Sequence, residues 1–204
     1  MTEDADFAKR WRDVQGSAAG REVLRDAAHD MIRAGGLEKL NMRALAARVG
    51  LSAMAAYRYY RSKTALIDDL RGQIRLDFGA HLEGAAATST DPLTQFRAMC
   101  GAYVDYGLAN EQDYRLMFGA DTPLTATGSA GAKAAPGWLV LVRVLRRLRD
   151  GADENDLIDQ AHLVWSTLHG LTMLHLGGRL NLDRTASRLK PPMIDFLVRA
   201  LQPA

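Results

Sequence analysis

The sequence predicts an all-α protein with two helical parts, and three observations support this fold class. Apolar residues recur at the helical period along most of the 204 residues. Alternating runs rich in valine, isoleucine and threonine, which would indicate strands, are missing. Glycine pairs that can end a helix follow two of the periodic segments, at 35–36 and 177–178. We therefore expect a flexible polar arm at 1–19, a three-helix domain at 20–81 and a second helical domain at 90–204.

Composition and charge exclude several classes of protein. The net charge is only +2, so an anion-binding role would need a local basic patch. The single cysteine, Cys100, excludes an internal disulfide framework and fits a reducing cytoplasm. The N-terminal residues are acidic and lack the apolar region of a signal peptide. No apolar run reaches the roughly 18 residues of a membrane span. We therefore expect a cytoplasmic protein without a membrane partner.

Capping residues place the helices of the first part. Asn41 and Ser52 have side chains that cap helix N-termini, and Gly50 between them suits a positive φ at a helix end. Ser62 can cap the long helix that follows. The helices expected from these signals are 21–34, 42–49, 53–60 and 63–81.

The second part carries equally clear helix starts. Asp91 followed by Pro92 combines an N-cap acid with proline in the first turn. Pro191 and Pro192 should interrupt or restart the last helix, because proline lacks a backbone N–H. The expected helices are 92–109, a short one in EQDYRLMFG, 137–150, 153–176 and 193–201; the Gly/Ala/Thr/Pro-rich segment 119–136 is expected to be mobile.

The segment from Lys39 to Ile67 contains no aspartate or glutamate, although acids and bases mix freely elsewhere. Two short helices joined by VGLS within it describe a helix-turn-helix, whose turn carries glycine. Removing acids suits a surface that meets DNA phosphates, since each acid would repel them. An ordinary alanine-rich hairpin with a solvated basic face is the competing interpretation. The bases of the segment are Lys39, Arg43, Arg48, Arg58, Arg61 and Lys63.

The second helix of this pair begins AMAAY, and its small side chains offer little beyond contacts with thymine methyl groups. Arg43 and Arg58 are therefore the candidates for polar base readout. DNA shape would supply part of the specificity. The hydroxyls of Tyr57 and Tyr59 can donate to phosphate oxygens.

The same segment resembles the DNA-binding domain of TetR-family transcriptional repressors, over roughly residues 20–80. In that family a Gly-x-Ser turn precedes a short recognition helix ending in Tyr-x-x-Phe/Tyr, followed by Ser/Asn-Lys and a leucine-rich helix. Two positions depart from the pattern: Ala56 replaces the usual leucine and Arg61 replaces the usual proline or lysine. The matching residues are Gly50, Ser52, Tyr57, Tyr60, Ser62, Lys63 and Leu66.

The resemblance implies a role for each matching position. Tyr57 and Lys63 would contact phosphates, Met42 and Arg43 would reach the groove edge, and Tyr60 would pack in the core. It also implies a homodimeric repressor of double-stranded DNA that responds to a small-molecule effector. The expected DNA-binding residues are Met42, Arg43, Ser52, Ala53, Met54, Ala55, Tyr57, Arg58, Tyr59 and Lys63.

The C-terminal part contains VWSTLHGLTML, with YRLMFG upstream, and is similar to a TetR subclass named for a Trp-His-Gly (WHG) signature. One face of helix 153–176 carries His162, Trp165, His169 and Met173, and a second face is aliphatic. One face could line a cavity and the other join a partner subunit, in either assignment, or the whole stripe could be core. The residues expected to line a pocket for a hydrophobic or aromatic effector are Met99, Tyr103, Tyr106, Met117, Phe118, Trp138, His162, Trp165, His169 and Met173.

Enzymes and metal sites are not expected. His162 and His169 stand two helical turns apart, about 10 Å, which is too far to share one ion. Catalytic and nucleotide-binding motifs are missing, and Cys100 lies in an apolar stripe as a buried structural thiol would. We therefore expect no catalytic residue, metal or cofactor. The alternative function is a helical small-molecule or protein-binding module whose basic hairpin never meets specific DNA.

Overall fold

The computed structural model describes residues 2–12, 17–119 and 135–201. These residues form ten α-helices and one 3₁₀ helix and contain no β-strand, which confirms the all-α prediction for the described ranges. The chain divides into two compact units, Met1–Ile74 and Arg75–Ala204.

The helices of the first unit follow the predicted order. The sequence signals place α3, α4 and the start of α5 to within a residue, whereas α2 begins earlier than expected and α5 ends later, at Ala86. Helix α5 has residues in both units, because the second unit begins at Arg75. The bounds are α1 Thr2–Arg12, α2 Ser17–Gly35, α3 Met42–Arg48, α4 Ala53–Tyr59 and α5 Lys63–Ala86, with a 3₁₀ helix at Leu37–Lys39.

Helix α1 corrects the expectation of a flexible arm at 1–19, because Thr2–Arg12 is helical. The side chain of Phe7 is 6% exposed, and the guanidinium of Arg10 donates to Asp26 of α2 at 2.8 Å. The segment is polar overall, but it contains an apolar side chain, Phe7, which is buried. Burial of that ring and the ion pair hold α1 in place.

The core of the first unit is built from side chains of α2 to α5. Leu24, Ile32, Leu45 and Leu66 are each no more than 1% exposed. Gly50 joins α3 to α4 with φ 78°, a backbone angle that favours glycine, as the sequence predicted. The two short helices are thereby held in a helix-turn-helix.

The second unit is organised around α6, which packs against α8, α9 and α10. Phe96 and Cys100 of α6 are fully buried, and burial raises the pKa of the Cys100 thiol, which confirms a structural cysteine. Asp91 caps α6 by accepting from the N–H of Thr94 at 2.8 Å. The helices are α6 Pro92–Ala109, α7 Glu111–Phe118, α8 Pro136–Leu148, α9 Glu154–Leu176 and α10 Ala186–Ala200.

Helix α10 corrects a second expectation. It begins at Ala186, not 193, and contains Pro191 and Pro192 without interruption. The two prolines remove the hydrogen bonds to the carbonyls of Ser187 and Arg188. Both of these residues are exposed, so water can satisfy the freed carbonyls. The expected mobile segment 119–136 lies for the most part outside the described residues.

Helices α5 and α8 approach each other closely at a glycine. A Cβ on Gly79 would lie 2.3 Å from Cβ of Pro136 and 3.1 Å from the backbone nitrogen of Gly137. Real Cβ atoms do not approach another carbon to 2.3 Å, so the missing side chain is what permits this packing.

Candidate functional site

Three exposed arginines, Arg43, Arg58 and Arg61, lie on the helix-turn-helix and the turn that follows it, and are called the basic surface below. None of the three arginines forms an ion pair with another residue of the described ranges. No acid occurs between Lys39 and Ile67 to offset their charge within the segment. This basic surface can therefore attract phosphates.

Arg48 belongs to the same acid-free segment but has a structural role. Its guanidinium lies 3.7 Å from the carboxylate of Asp30 and 5.3 Å from the ring centre of Phe7. The side chain is only 17% exposed. Arg48 therefore helps to hold α1 and α2 against α3 and adds little to the basic surface.

The free face of α4 offers small side chains and two larger ones. Met54 is 82% exposed and Tyr57 is 46% exposed, while Ala53 and Ala55 are partly exposed. The oxygen of Ser52 accepts from the N–H of Ala55 at 3.2 Å and caps the helix, so its hydroxyl proton stays available. Such a surface can approach a groove closely, with Met54 as its largest apolar contact.

Two residues expected in the DNA-binding site are less accessible. The side chain of Met42 is 5% exposed, so only its backbone is available for a contact. Lys63 is partly buried, and its ammonium donates to the carbonyl oxygen of Leu37 at 3.2 Å. Lysine has three donors, so Lys63 can keep this bond and still bind a phosphate.

Tyr59, at the end of α4, packs against two residues that the sequence reasoning missed. The centre of its ring lies 5.2 Å from that of Trp11 in α1, with the rings nearly perpendicular at 86°. A Cβ on Gly20 would lie only 2.6 Å from Cε1 of Tyr59. Helix α1 and the start of α2 therefore position the end of α4, through contacts between distant parts of the chain that have no local signal.

Tyr60 is buried, which confirms its expected packing role. It is 1% exposed, and its hydroxyl lies 2.5 Å from a carboxylate oxygen of Asp69, to which it donates. The carbonyl oxygen of Arg21 is 3.1 Å away. Burial, together with the hydrogen bond to Asp69, raises the pKa of Tyr60 above its usual value. The tyrosine thus ties the end of α4 to α2 and α5.

A chain of hydrogen bonds joins α6, α7 and α9 inside the second unit. The indole N–H of Trp165 donates to the hydroxyl of Tyr103 at 3.1 Å. The hydroxyls of Tyr103 and Tyr114 are 3.0 Å apart, and that of Tyr114 lies 2.8 Å from Nδ1 of His169. Burial raises the pKa of Tyr103 to about 12 and lowers that of His169, so these groups are neutral at physiological pH.

The residues expected to line an effector pocket divide by burial. Met99, Tyr103 and Met117 are at most 5% exposed and belong to the core. His162 is exposed, with Nδ1 2.9 Å from the carbonyl oxygen of Ile158 and its ring 4.5 Å from that of Trp138. The half-buried members, which keep accessible surface beside the core, are Tyr106, Phe118, Trp138, Trp165, His169 and Met173.

Helix α9 presents three faces that differ in burial. The aliphatic face, including Leu157 and Val164, is buried, and the face with Trp165 and His169 is half-buried. A third face carries Leu163, which is 68% exposed. The third face was not recognised from the sequence, because its apolar residues are interrupted by polar and small ones.

A cleft of about 420 Å³ lies along α5 and α8, and none of the predicted pocket residues lines it. Leu76 and Leu139, which line it, are 55% and 54% exposed. The bidentate ion pair of Arg143 with Glu83 closes one side, at 2.9 and 2.7 Å. The full lining is Leu76, Gly79, Ala80, Glu83, Pro136, Leu139, Val140 and Arg143.

The described ranges contain no group of three or more His, Cys, Asp or Glu residues arranged to hold a metal ion. None of the helices in the same ranges has the length and hydropathy needed to cross a membrane.

A helix-turn-helix with an exposed basic surface, followed in the chain by a helical unit with an aromatic interior, indicates the class of helix-turn-helix regulators. Residues 24–70 match the family of bacterial regulatory proteins, tetR family, and residues 96–201 match the tetracyclin repressor-like C-terminal domain. The chain belongs to the TetR family of transcription regulators, with a helix-turn-helix DNA-binding domain and a C-terminal helical domain. No curated protein is a significant match.

Solved structures are similar over most of the chain. A protein of unknown function from Rhodococcus sp. RHA1 is 27% identical with a TM-score of 0.77, covering 90% of this chain and 95% of its own. The candidate regulatory protein SCO4313 is 25% identical with a TM-score of 0.73, covering 89% and 96%. The TetR-family regulator PfmR from Thermus thermophilus is 21% identical with a TM-score of 0.63, covering 88% and 99%, and shows the shared fold.

Replacing Trp11 with alanine is expected to loosen the recognition helix, because Tyr59 loses the ring that it packs against. An aromatic pair contributes about 1 kcal/mol, so the amides of α4 should exchange with solvent hydrogen roughly fivefold faster. The measurement is hydrogen exchange by mass spectrometry or NMR. Trp138→Ala, in the second unit, is the control and should leave α4 unchanged; unchanged α4 exchange in Trp11→Ala would refute the role of α1.

Proposed function

We propose that the protein is a ligand-responsive transcriptional repressor, which binds a pseudo-palindromic operator as a homodimer and is released by a small hydrophobic or aromatic effector. The observation that carries this proposal is the basic surface of Arg43, Arg58 and Arg61 on the helix-turn-helix of a TetR-family chain. Membership of a family of transcription regulators also favours a non-enzymatic role.

The DNA-binding step follows from the first unit. Helix α4 enters the major groove with Met54 and the small alanines against the base edges, and Arg43 supplies polar readout from α3. Tyr57 and Lys63 bind phosphates on either side of the groove, Arg58 is the second candidate for polar base readout, and the hydroxyl of Tyr59 can donate to a phosphate oxygen. The buried side chain of Met42 restricts that residue to a backbone contact.

The dimer is proposed to form through α9 and α10, which pack on each other. Leu163 and Leu174 of α9 are 68% and 45% exposed, and Phe196 of α10 is 59% exposed. Between the two leucines on the same helix face stand Ser166 and Gly170, which allow a partner helix to approach. Burying these side chains in a symmetric interface removes their apolar surface from water twice per dimer.

The effector step uses the half-buried aromatic side chains of the second unit. A ligand there would stabilise one conformation of the dimer whose reading heads no longer match the operator spacing. Helix α5 has residues in both units and is the element that carries the change. The effector can weaken DNA binding by no more than the difference between its binding free energies for the two conformations.

The Trp-His-Gly subclass remains part of the proposal. Trp165 and His169 take part in one hydrogen-bond chain, which supports a shared role for the first two signature residues. Apart from its chain neighbours and the backbone of its own helix, no described atom lies within 4 Å of the position that a Cβ on Gly170 would take, so that glycine faces open space.

Fluorescence anisotropy with DNA from upstream of the protein's own gene, against scrambled DNA, tests the DNA-binding proposal. Binding at physiological salt should be about a thousandfold tighter on the native fragment. The opposite result is weak binding that is equal for both DNAs and falls steeply with salt. If a random-site selection then enriched no sequence, the alternative would remain: a helical small-molecule or protein-binding module without specific DNA binding.

Arg43→Ala and Lys63→Ala are expected to differ in kind. Loss of the Arg43 guanidinium should cost about 1–3 kcal/mol on the preferred operator and little on random DNA, which relaxes sequence preference. Loss of the Lys63 ammonium should weaken binding to operator and random DNA by similar factors. It should also reduce the slope of log affinity against log salt concentration by about one. Equal losses on both DNAs for Arg43→Ala would contradict its role in base readout.

A further inference from the structure

Among its own four members, the hydrogen-bond chain of Trp165, Tyr103, Tyr114 and His169 has one direction that gives every proton an acceptor. The indole N–H of Trp165 can only donate, so the oxygen of Tyr103 accepts at that end. The single proton of Tyr103 then goes to Tyr114, which is its other hydrogen-bond partner in the described ranges. Tyr114 in turn donates a hydrogen bond to Nδ1 of His169, 2.8 Å away.

The reverse direction leaves a buried donor unsatisfied. If Nδ1 of His169 carried a proton and donated to Tyr114, then Tyr114 would donate to Tyr103. The oxygen of Tyr103 would accept twice, and its own proton would have no acceptor among the described residues. Water cannot replace that acceptor, because the side chain is only 5% exposed. A buried hydroxyl without an acceptor is costly. Every proton of the chain therefore has an acceptor within it only when His169 is neutral, with its proton on Nε2.

The surroundings of His169 make this outer N–H usable. Its Nε2 has no hydrogen-bond partner in the part of the chain that the structure describes, and the ring is only half-buried. The ring of Phe118 lies 5.2 Å away, edge to face, and that of Trp165 6.0 Å away. Both of these rings are also half-buried. An N–H donor thus stands among aromatic surfaces that remain partly accessible.

We infer that the effector is a neutral aromatic carbonyl compound, whose ring packs on Phe118 and Trp165 and whose oxygen accepts from Nε2–H of His169. This inference rests on the proposed function, in which the second unit binds an effector. A carboxylate fits less well, because an anion would favour protonated His169. Protonation puts a second proton on Nδ1 and forces the unfavourable direction on the chain. The tyrosines and tryptophan therefore select the effector's chemistry without touching its oxygen.

The tautomer is tested on the whole protein without any ligand. Long-range ¹⁵N–¹H correlation NMR at pH 7.5 distinguishes a histidine protonated at Nε2 from one protonated at Nδ1. The signal of His169, one of five histidines, is identified by its loss in His169→Phe. We expect the Nε2–H form in the wild type and a mixture of both tautomers in Tyr114→Phe. An Nδ1–H tautomer in the wild type would overturn the inference.

Ligand chemistry is tested with three probes of similar size: 2-acetylnaphthalene, 2-isopropenylnaphthalene and 2-naphthoate. Calorimetric titration should show the ketone binding roughly three- to tenfold tighter than the isosteric hydrocarbon, the effect of one added hydrogen bond. The naphthoate should bind weakest. His169→Phe, checked for folding by its thermal unfolding, should bind ketone and hydrocarbon equally. A hydrocarbon that binds as well as the ketone, tighter binding of the naphthoate, or no binding of any probe would contradict the inference.

The same probes separate this inference from the proposed function. If the ketone binds through His169 but does not release operator DNA, the repressor mechanism fails and the binding site stands. If a ligand releases DNA and its affinity is the same for His169→Phe as for the wild type, the repressor mechanism stands and the assignment of the site fails.

Discussion

Phe196→Asp is expected to convert the proposed dimer into monomers. The ring of Phe196 is 59% exposed in a single chain and is proposed to be buried by the partner. Because the interface is symmetric, each substitution acts twice, so lost apolar burial of about 1.5–3 kcal/mol per copy weakens dimerisation by roughly a hundredfold to ten-thousandfold. Sedimentation equilibrium measures this change directly, and operator affinity should fall with it because a monomer reads one half-site.

Leu139→Asp is the matched control for this prediction. Leu139 is 54% exposed and apolar, as Phe196 is, but it lies on α8. The same negative charge there should leave the dimer intact. Monomers in both variants, or dimers in both, would show that α10 is not the specific site of association.

Gly79→Ala is expected to destabilise the second unit strongly for so small a change. The new methyl group would meet Pro136 and the backbone of Gly137, and backbone cannot move aside as a flexible side chain can. Overpacking of this kind costs about 1–3 kcal/mol. Urea denaturation followed by circular dichroism should show the loss as a lower midpoint with an unchanged slope.

Gly84→Ala, five residues along the same helix, provides the control. Nothing lies within 4 Å of a Cβ placed on Gly84. Alanine in an exposed helix interior should therefore stabilise the protein by about 0.5–1 kcal/mol. The two substitutions are chemically identical and should have opposite signs; a loss of stability in both would locate the effect in α5 itself rather than in its contact with α8.

The sequence predicted those parts of the fold that depend on local chemistry. Asn41 and Ser52 cap α3 and α4 through bonds to residues three positions later, and Gly50 takes the positive φ between them. Asp91 caps α6 in the same manner. Capping and turn geometry involve neighbours in sequence, so residue types alone are sufficient to place them.

Features that depend on distant contacts could not be predicted. The polar segment that forms α1 becomes helical because Phe7 and Trp11 pack on other helices, and no local pattern signals that packing. Arg48 resembles the other bases of its segment, yet a carboxylate and a ring from elsewhere bury it. In α10, the consequence of two prolines depended on whether the freed carbonyls faced water.

The candidate sites show the same division. Helical periodicity placed Trp165 and His169 on one face of α9, and the structure places them in one hydrogen-bond chain. Periodicity does not show how deeply a face is buried, so it could not separate buried Tyr103 from half-buried Phe118. Nor could it show that Met42 points inward while its neighbour Arg43 points to solvent.

The positions of the three tryptophans have a spectroscopic consequence. Trp11 adjoins the recognition helix, whereas Trp138 and Trp165 belong to the second unit. A variant with phenylalanine at 138 and 165 would retain one fluorophore next to the DNA-reading surface. A variant with phenylalanine at 11 and 138 would retain one whose indole N–H is bound to Tyr103. Stopped-flow emission from these two proteins would time the binding of the proposed effector and the response of the helix-turn-helix separately, without any attached dye.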